Sequence, residues 1–448
     1  MAGLSQGQTT RFVSKAGSHQ APFTSWEGAS TNIQAALDAA QAGDAIQVAD
    51  GVYREAEIVI QKSIAISSLH GAAATVIDAG SAHRCLSVLT NALVEGFTLT
   101  GGFAEQGGGA KMTGGELRQC RITGNSAQKK GAGVHCFFGG KVTRSEISGN
   151  SVAGNDGGGG VYLEYGGEVS FCVVVSNRAA QKGGGIYCDR GGSVIRNCAI
   201  SLNTARYGGG VMFFTAAGNG YEIGEMNNCL VTGNTASYRG GGVYANLGGE
   251  MYNCTIVDNC ASNRGGGVYW SIDQYGLGVC VNSIIYYNQS PDGADYYNNN
   301  GYFVRCCTTP DPGYNSIAAE PRFADRLAGD YHLAADSPCI NAGNSLYVIE
   351  TDLDLDGCER VVDTSVDLGA YECQVSANQD SDGDGLPDSV ETGTGVYQGP
   401  GDTGTSPYVA DTDGDGVRDG DEVAAGFDPT DPESVFVIRV ADNSSVHQ

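Results

Sequence analysis

The sequence predicts an all-β fold, a parallel β-helix, from three observations. A glycine-rich signature recurs, most cleanly as Gly183-Gly184-Gly185-Ile186-Tyr187, Gly240-Gly241-Gly242-Val243-Tyr244 and Gly265-Gly266-Gly267-Val268-Tyr269, with looser copies opening at Gly107, Gly131, Gly158 and Gly208. The triplets return every 24 to 27 residues, with one longer step before Gly240, and such a period marks a solenoid. Within the units, Val161 to Glu164 and Ile186 to Asp189 alternate apolar and polar residues, the two-residue period of a strand with one buried face. Glycine this dense, 69 of 448 residues, is also incompatible with helical repeats.

A unit of about 25 residues holding two or three short strands fits one coil, and coils stack at roughly 4.8 Å through the backbone ladder. Equivalent positions then form vertical columns. One is Asn125, Asn150, Asn177, Asn203, Asn234 and Asn259, whose amides are expected to bond to turn backbone and to each other. A second is Cys120, Cys172, Cys198, Cys229 and Cys254, with Ser145 at the missing rung. Stacked inward thiols read as small apolar fillers.

The elements follow in order. Residues 1–43 read as an N-terminal cap containing the one convincing helix, Thr31 to Ala42, with Ile33, Ala36, Leu37 and Ala40 on one face, Ser30 or Thr31 as cap and Gly43 as stop. Residues 44–310 read as the β-helix, its first coils irregular and its regular part running from Gly101 to about Tyr287. Residues 311–373 read as a closing segment over the far end, with Cys339, Cys358 and Cys373 near enough in sequence for a bridge between two of them. Residues 374–434 form an acidic block, and 435–448 a linker or the start of another domain.

Composition limits the partners. Fifty-one acidic against 25 basic residues give a net charge of −26, which argues against nucleic acid or an anionic membrane. No apolar run is long enough to span a bilayer. Met1-Ala2-Gly3-Leu4-Ser5-Gln6 lacks the basic and apolar regions of a secretion signal, and the expectation is an exported chain from which the signal has been removed.

Within the regular coils, Ile-x-x-Asn (Ile122 to Asn125, Ile147 to Asn150, Ile200 to Asn203, Ile256 to Asn259) is paired with Gly-Gly-Gly-Val. This pairing resembles the Phe-x-x-Asn and Gly-Gly-Ala-Ile repeats of the polymorphic outer-membrane protein family. The resemblance covers about half the chain and implies a secreted, right-handed parallel β-helix used as a surface adhesin. Ile or Val stands for Phe here and Gly for Ala, and the family's carboxy-terminal membrane barrel has no counterpart. Residues 336–372, with Ser337-Pro338-Cys339-Ile340-Asn341-Ala342-Gly343, resemble the closing segment of secreted bacterial β-helices held at the cell surface.

The outward face is where a site is sought. Tyr162, Tyr187, Tyr244 and Tyr269 follow the triplets and point outward, with His135 and Met212 between, while Lys130, Lys182, Arg206, Arg239 and Arg264 precede them. An open stripe of tyrosines beside a stripe of cations suits an extended anionic polysaccharide; the competing reading is a tyrosine ladder packed on itself. Glu164 and Asp189 should stack on adjacent coils about 5 Å apart, near the carboxylate separation of retaining glycosidases. β-helix pectate lyases and polygalacturonases are similar in placing acidic and basic residues on such a face. The competing reading is two solvated surface charges.

The acidic block carries the sharpest signal. Asp380-x-Asp382-x-Asp384-Gly385 runs on to Glu391, and Asp411-x-Asp413-x-Asp415-Gly416 to Glu422. Alternate carboxylates converging on one hard cation, a glycine at the sharp turn and a twelfth-position glutamate are the donors of a Ca2+ loop, completed by Leu386 and Val417 through their carbonyls and by Asp388 and Asp419. Asp411 to Glu422, followed by Phe427-Asp428-Pro429, resembles thrombospondin type 3 calcium repeats, which implies a stiff extracellular spacer ordered by calcium. A weaker third loop runs from Asp352 through Asp354 and Asp356 to Asp363.

The sequence therefore supports a secreted or surface-displayed β-helix with a calcium-stiffened spacer, acting as an adhesin or structural element that binds polysaccharide or a cell-surface ligand. The alternatives are a polysaccharide lyase or glycosidase on the same scaffold, and a subunit that self-associates into filaments.

Overall fold

The computed structural model describes residues 8–214, 223–271, 278–298, 301–348, 353–362, 365–374 and 380–434. Among them, four parallel sheets of twelve, eleven, ten and seven strands enclose one continuous core. Each coil visits the sheets in turn. Glu116–Arg118 lies in the twelve-stranded sheet, Arg121–Thr123 in the eleven-stranded, Ser126–Lys130 in the seven-stranded and Val134–Phe137 in the ten-stranded. Lys141–Thr143 then lands directly on Glu116–Arg118 and opens the next coil. The architecture is the expected right-handed parallel β-helix, the hand that parallel crossovers impose.

Register holds from coil to coil, so Ile122, Ile147, Val174, Ile200, Val231 and Ile256 form one buried apolar column. The glycine triplet is explained by the neighbouring coil. Gly183 sits at φ 56°, and a Cβ on Gly184 or Gly185 would come within 2.3 Å or 2.7 Å of the carbonyl oxygens of Gly209 and Gly210 above. Only bare backbone lets coils close to ladder distance at this corner.

The asparagine column is a hydrogen-bonded ladder. Asn177 donates its backbone N–H and its Nδ2 to Asn203 Oδ1, at 2.9 and 3.0 Å, and Nδ2 also donates to the Ile147 carbonyl below at 2.8 Å. The ladder continues one rung beyond the six read from sequence, to Asn288, where the Asp295 carboxylate takes the accepting role. The inward cysteines stack as expected, with the Ser145 hydroxyl accepting from the Cys120 amide.

At the start, the helix is shorter than predicted, Ile33–Ala39, and its cap is Asn32. Long-range partners fix its ends. Glu55 accepts from the Ile33 and Gln34 amides, and Lys62 Nζ donates to the Leu37, Asp38 and Ala40 carbonyls. Its buried face, Ile33, Ala36 and Leu37, joins the main core.

The closing segment differs from expectation. Ile317 pairs with the last coil at Cys307 and Thr308, but the chain then turns back along the flank. Asn197 and Asn228 donate to the Leu353 carbonyl, Asn282 donates to the Asn344 carbonyl, and Thr255 Oγ1 accepts from the Ala370 amide. Asn197, Asn228, Asn253 and Asn282 occupy left-handed corner positions, a second asparagine column; Asn197, Asn228 and Asn282 hold this returning strap, while Asn253 accepts from Asn282 within the column. Cys339, Cys358 and Cys373 form no bridge with one another. Cys339 packs instead with Cys307 and Leu368 in a satellite apolar cluster.

Replacing Asn177 by Ala orphans several buried backbone groups, each worth about 1–3 kcal/mol, so stability should fall by about 3 kcal/mol or more. Replacing the exposed corner residue Leu202 by Ala should cost well under that, and denaturant titration of the two variants checks the contrast.

Candidate functional sites

The tyrosines stand in one column on the outer side of the ten-stranded sheet, in the order His135, Tyr162, Tyr187, Met212, Tyr244, Tyr269, Tyr297. They form a cluster separate from the core, so their outward direction agrees with the sequence, but the stripe is not open. Tyr162, Tyr187, Tyr244 and Tyr269 are only 2 to 7 % exposed. Tyr244 stacks on Tyr269 at 5.0 Å and Tyr269 on Tyr297 at 5.1 Å, while Tyr162 meets Tyr187 edge-on at 4.8 Å. Identical rungs at ladder spacing bring rings to stacking distance, and the column packs on itself.

The cations cap these rings. Lys130 lies over Tyr162, Lys182 over Tyr187, Arg239 over Tyr269 and Arg264 over Tyr297, at 4.7 to 5.6 Å from the centroids. Arg206 departs from the expected column. A register irregularity beyond Ala205 puts Tyr207 opposite Arg239, and Arg206 turns onto the Tyr207 and Tyr238 rings. Lys130 is bound to Glu164 and Arg264 to Asp292, whereas Lys182, Arg206 and Arg239 have no acidic partner among the described residues.

Glu164 and Asp189 are cross-strand neighbours, as the repeat requires, yet neither is solvated. Lys130 Nζ contacts both Glu164 oxygens at 2.8 Å and His135 Nε2 lies 3.0 Å from Oε2. Burial pushes the Glu164 carboxyl up, but His135 and Lys130 outweigh it and hold the group at about 2. Such a carboxylate is a poor proton donor at neutral pH. Asp189 Oδ2 accepts from the Tyr162 hydroxyl, and Oδ1 lies 3.4 Å from Arg190 Nε. Burial, then the Asp189 charge, raises the Tyr162 phenol far above its ordinary range. Burial also lowers His135 below its ordinary value, against the pull of Glu164. The sequence named His135 only as a gap in the tyrosine column; its place one coil below Glu164 was the available signal.

The acidic loops form the second site. Carboxylate oxygens of Asp380, Asp382 and Asp384 lie within 4.8 Å of one another, as do those of Asp411, Asp413 and Asp415. A third group joins the loops, since Asp384, Glu391 and Asp419 also converge within 4.8 Å. Gly420 N–H donates to Asp384 Oδ2, and Arg418 Nη1 to the Gly383 carbonyl. Asp388 and Asp419 each receive a hydroxyl and an amide, from Ser381 and Thr412 respectively. Leu386 and Val417 donate their amides back to Asp384 and Asp415. Six buried carboxylate oxygens here have no donor: Asp382 Oδ2, Glu391 Oε2, Asp413 Oδ2, Asp415 Oδ2 and both of Glu422. Burial and neighbouring aspartates push Glu391 and Glu422 up to about 7. An all-oxygen, uncompensated donor set fits a hard divalent cation.

Of the third predicted loop, Asp352 and Asp363 lie outside the described residues. Asp354 is consumed by the Asp356, Cys358 and Glu372 amides, and Asp356 pairs with His332 at 2.6 Å.

Residues 380–395 and 411–432 match the bacterial TSP3 repeat family. A crystal structure of pectate lyase Pel9A superposes with a TM-score of 0.56 at 17% identity, over 82% of this chain and 97% of that one. A rhamnogalacturonan lyase gives 0.42 at 15% identity, over 72% and 92%. No curated protein matches the sequence. The pectate lyase likeness establishes the β-helix fold. No helix among the described residues is long and apolar enough to cross a membrane.

The Glu164 pairings predict a pH dependence. The folded pKa lies below the unfolded value, so the stabilisation is present above about 4.5 and disappears as pH falls toward 2. Glu164→Gln should therefore be less stable than the parent near neutral pH, by about 2 kcal/mol, with the gap closing toward pH 2. Paired melting curves across that range test it; a constant gap would remove the ion-pair account.

Proposed function

We propose that the chain is a secreted or surface-held β-helix that binds an anionic polysaccharide along the cation-bearing flank of its coils and carries a calcium-ordered spacer at its carboxy-terminal side. The observation that carries the binding reading is the row of Lys182, Arg206 and Arg239. These are cations with no acidic partner among the described residues, on a chain of net charge −26. Charges left unpaired in so acidic a protein serve an external anion better than they serve the fold. The buried tyrosines act as the platform that holds the cations out, and the ligand meets guanidinium and ammonium groups rather than aromatic faces. A pectate lyase that shares the fold supports a carbohydrate ligand by analogy alone.

Binding without turnover is the favoured form. Glu164 is pinned as a carboxylate between Lys130 and His135, and Asp189 is held by Tyr162; both are buried, so the pair lacks the open approach that glycoside cleavage requires. The adhesin and structural readings both fit a binding solenoid; lyase and filament readings are the alternatives.

Two outcomes test this. Changing Lys182, Arg206 and Arg239 together to Gln should weaken binding of polygalacturonate or alginate about tenfold or more and flatten its salt dependence, with the melting point little changed. Release of unsaturated or reducing ends by the parent, abolished in Asp189→Asn, would establish an enzyme instead.

Calcium would be held by Asp380, Asp382, Asp384, Asp388, Glu391 and the Leu386 carbonyl, and by Asp411, Asp413, Asp415, Asp419, Glu422 and the Val417 carbonyl. Its charge would offset the carboxylate repulsion within and between the loops. At about a hundred times its Kd, calcium should stabilise this segment by about 2.7 kcal/mol. Calorimetry and proteolysis with and without chelator should show that gain, and Glu391→Gln with Glu422→Gln should abolish most of it.

A further inference from the structure

We propose a second carbohydrate site, independent of the cation row: an open cleft at the corner between the ten- and twelve-stranded sheets that takes a neutral glycan, one pyranose ring packed on Phe138. The cleft has a volume of about 500 Å³ and is lined by Asn91, Thr113, Gly114, Glu116, Phe138 and Lys141 among others.

Phe138 is its organising side chain. It is 64 % exposed, at a left-handed position (φ 56°) that a phenylalanine adopts only at a cost. Its ring is not loose. It lies parallel to Tyr165, the equivalent corner residue of the next coil, at 4.8 Å and 15°, and meets Phe137 edge-on at 4.4 Å. Tyr165 is fixed in turn by Arg190 on the coil after, whose Nη1 donates to the phenol oxygen at 2.8 Å. Phe138, Tyr165 and Arg190 thus form a braced stack along the corner, and the stack stops at Phe138.

On the preceding coil the corner is Thr113-Gly114-Gly115, which places no ring beneath Phe138. Gly114 is not demanded by its backbone. Its φ lies outside the left-handed region, and an added Cβ would meet the end of the Asn91 side chain, Oδ1, at 3.2 Å and the Thr90 carbonyl at an ordinary contact distance of 3.6 Å. The glycine leaves open the next rung of the stack, and a flat, weakly polar ring is what fits there. The Gly-Gly pairs at 139–140, 166–167 and 191–192, which follow Phe138, Tyr165 and Arg190, add no side chains beside that stack, and a Cβ at Gly139 would touch nothing within 4 Å. Coils repeat at roughly 4.8 Å, close to the length of one sugar unit in an extended chain.

The polar rim sets the ligand's charge. Glu116 accepts from the Thr143 hydroxyl at 2.6 Å, and Lys141 pairs with Glu168 at 3.0 Å. Lys141 is thereby compensated, whereas Glu116, bonded to a neutral hydroxyl, keeps its negative charge; a rim with hydrogen-bonding groups, a carboxylate and no uncompensated cation suits hydroxyl-rich neutral saccharide over a uronate polymer.

Calorimetric titration of the full chain with cellohexaose, mannohexaose and hexagalacturonate tests the site. The expected result is binding of a neutral hexasaccharide that weakens about tenfold or more in Phe138→Ala and in Gly114→Tyr, which fills the open rung, and that persists in Phe138→Trp. The melting point of Gly114→Tyr should be unchanged or higher, separating blockage from misfolding. Changing Lys182, Arg206 and Arg239 to Gln should leave this binding intact. If the parent binds hexagalacturonate alone, and Phe138→Ala and Gly114→Tyr bind it normally, the cleft assignment falls while the flank reading stands. If the parent binds none of the three, both fall.

Discussion

Everything in the solenoid follows from one constraint: each backbone strand must hydrogen-bond to the strand one coil away, at a fixed spacing of roughly 4.8 Å and in register. A residue's nearest neighbours are therefore its own equivalents. At the inner faces this is free of conflict, because Ile on Val on Ile packs at any height. At the corners it is severe, since turn backbone has no strand partner and still runs against another turn. Two residue types resolve it. Glycine removes the Cβ where carbonyls of the next coil approach, and asparagine supplies both a donor and an acceptor to turn groups above and below.

On the outer faces the same rule makes like stack on like, which suits aromatic rings and penalises charges. The tyrosine column accepts it and buries itself. Where charges of opposite sign meet they pair: Glu168 sits between Lys141 on one coil, at 3.0 Å, and Arg196 on the next, at 2.7 Å, with its carboxyl held at about 2 against the upward push of burial. Glu164 directly under Asp189 sets like charge on like, and the cost is met by Lys130, His135, Arg190 and the Tyr162 phenol. The pair resembles a catalytic dyad in spacing because any two stacked acids in a β-helix must. Its partners make it an ion-pair network.

How much of this was legible depended on whether period alone decides the answer. The asparagine ladder, the inward thiols and the outward direction of Tyr162, Tyr187, Tyr244 and Tyr269 follow from period and were readable. Coverage does not: burial of those tyrosines rests on which cation folds over which ring, a rotamer matter. Arg206 misled because the irregularity beyond Ala205 shifts the count by one without a mark in the composition. The flank-running strap was hidden because its anchors, Asn197, Asn228 and Asn282, read as ordinary corner residues until their partners near 344–354 are known. Phe138 carried no sequence signal, since the exposure of a ring at a corner follows from neither period nor alternation.

The acidic loops obey a different logic from the coils. Each loop gathers its own aspartates, as the spacing dictates, but Glu391 of the first also meets Asp419 of the second across Asp384. Two independent loops on a string would not place buried acids of both within one coordination radius, and Gly420 would not donate to Asp384. With Asp384, Asp419 and Glu391 all pushed upward by burial and by the charge of neighbouring aspartates from both loops, closing the loops on one another is unfavourable unless a cation compensates them. On the calcium reading proposed above, occupancy then governs the joint between the loops as well as each loop, which is how a short acidic segment without a large core of its own becomes a stiff element.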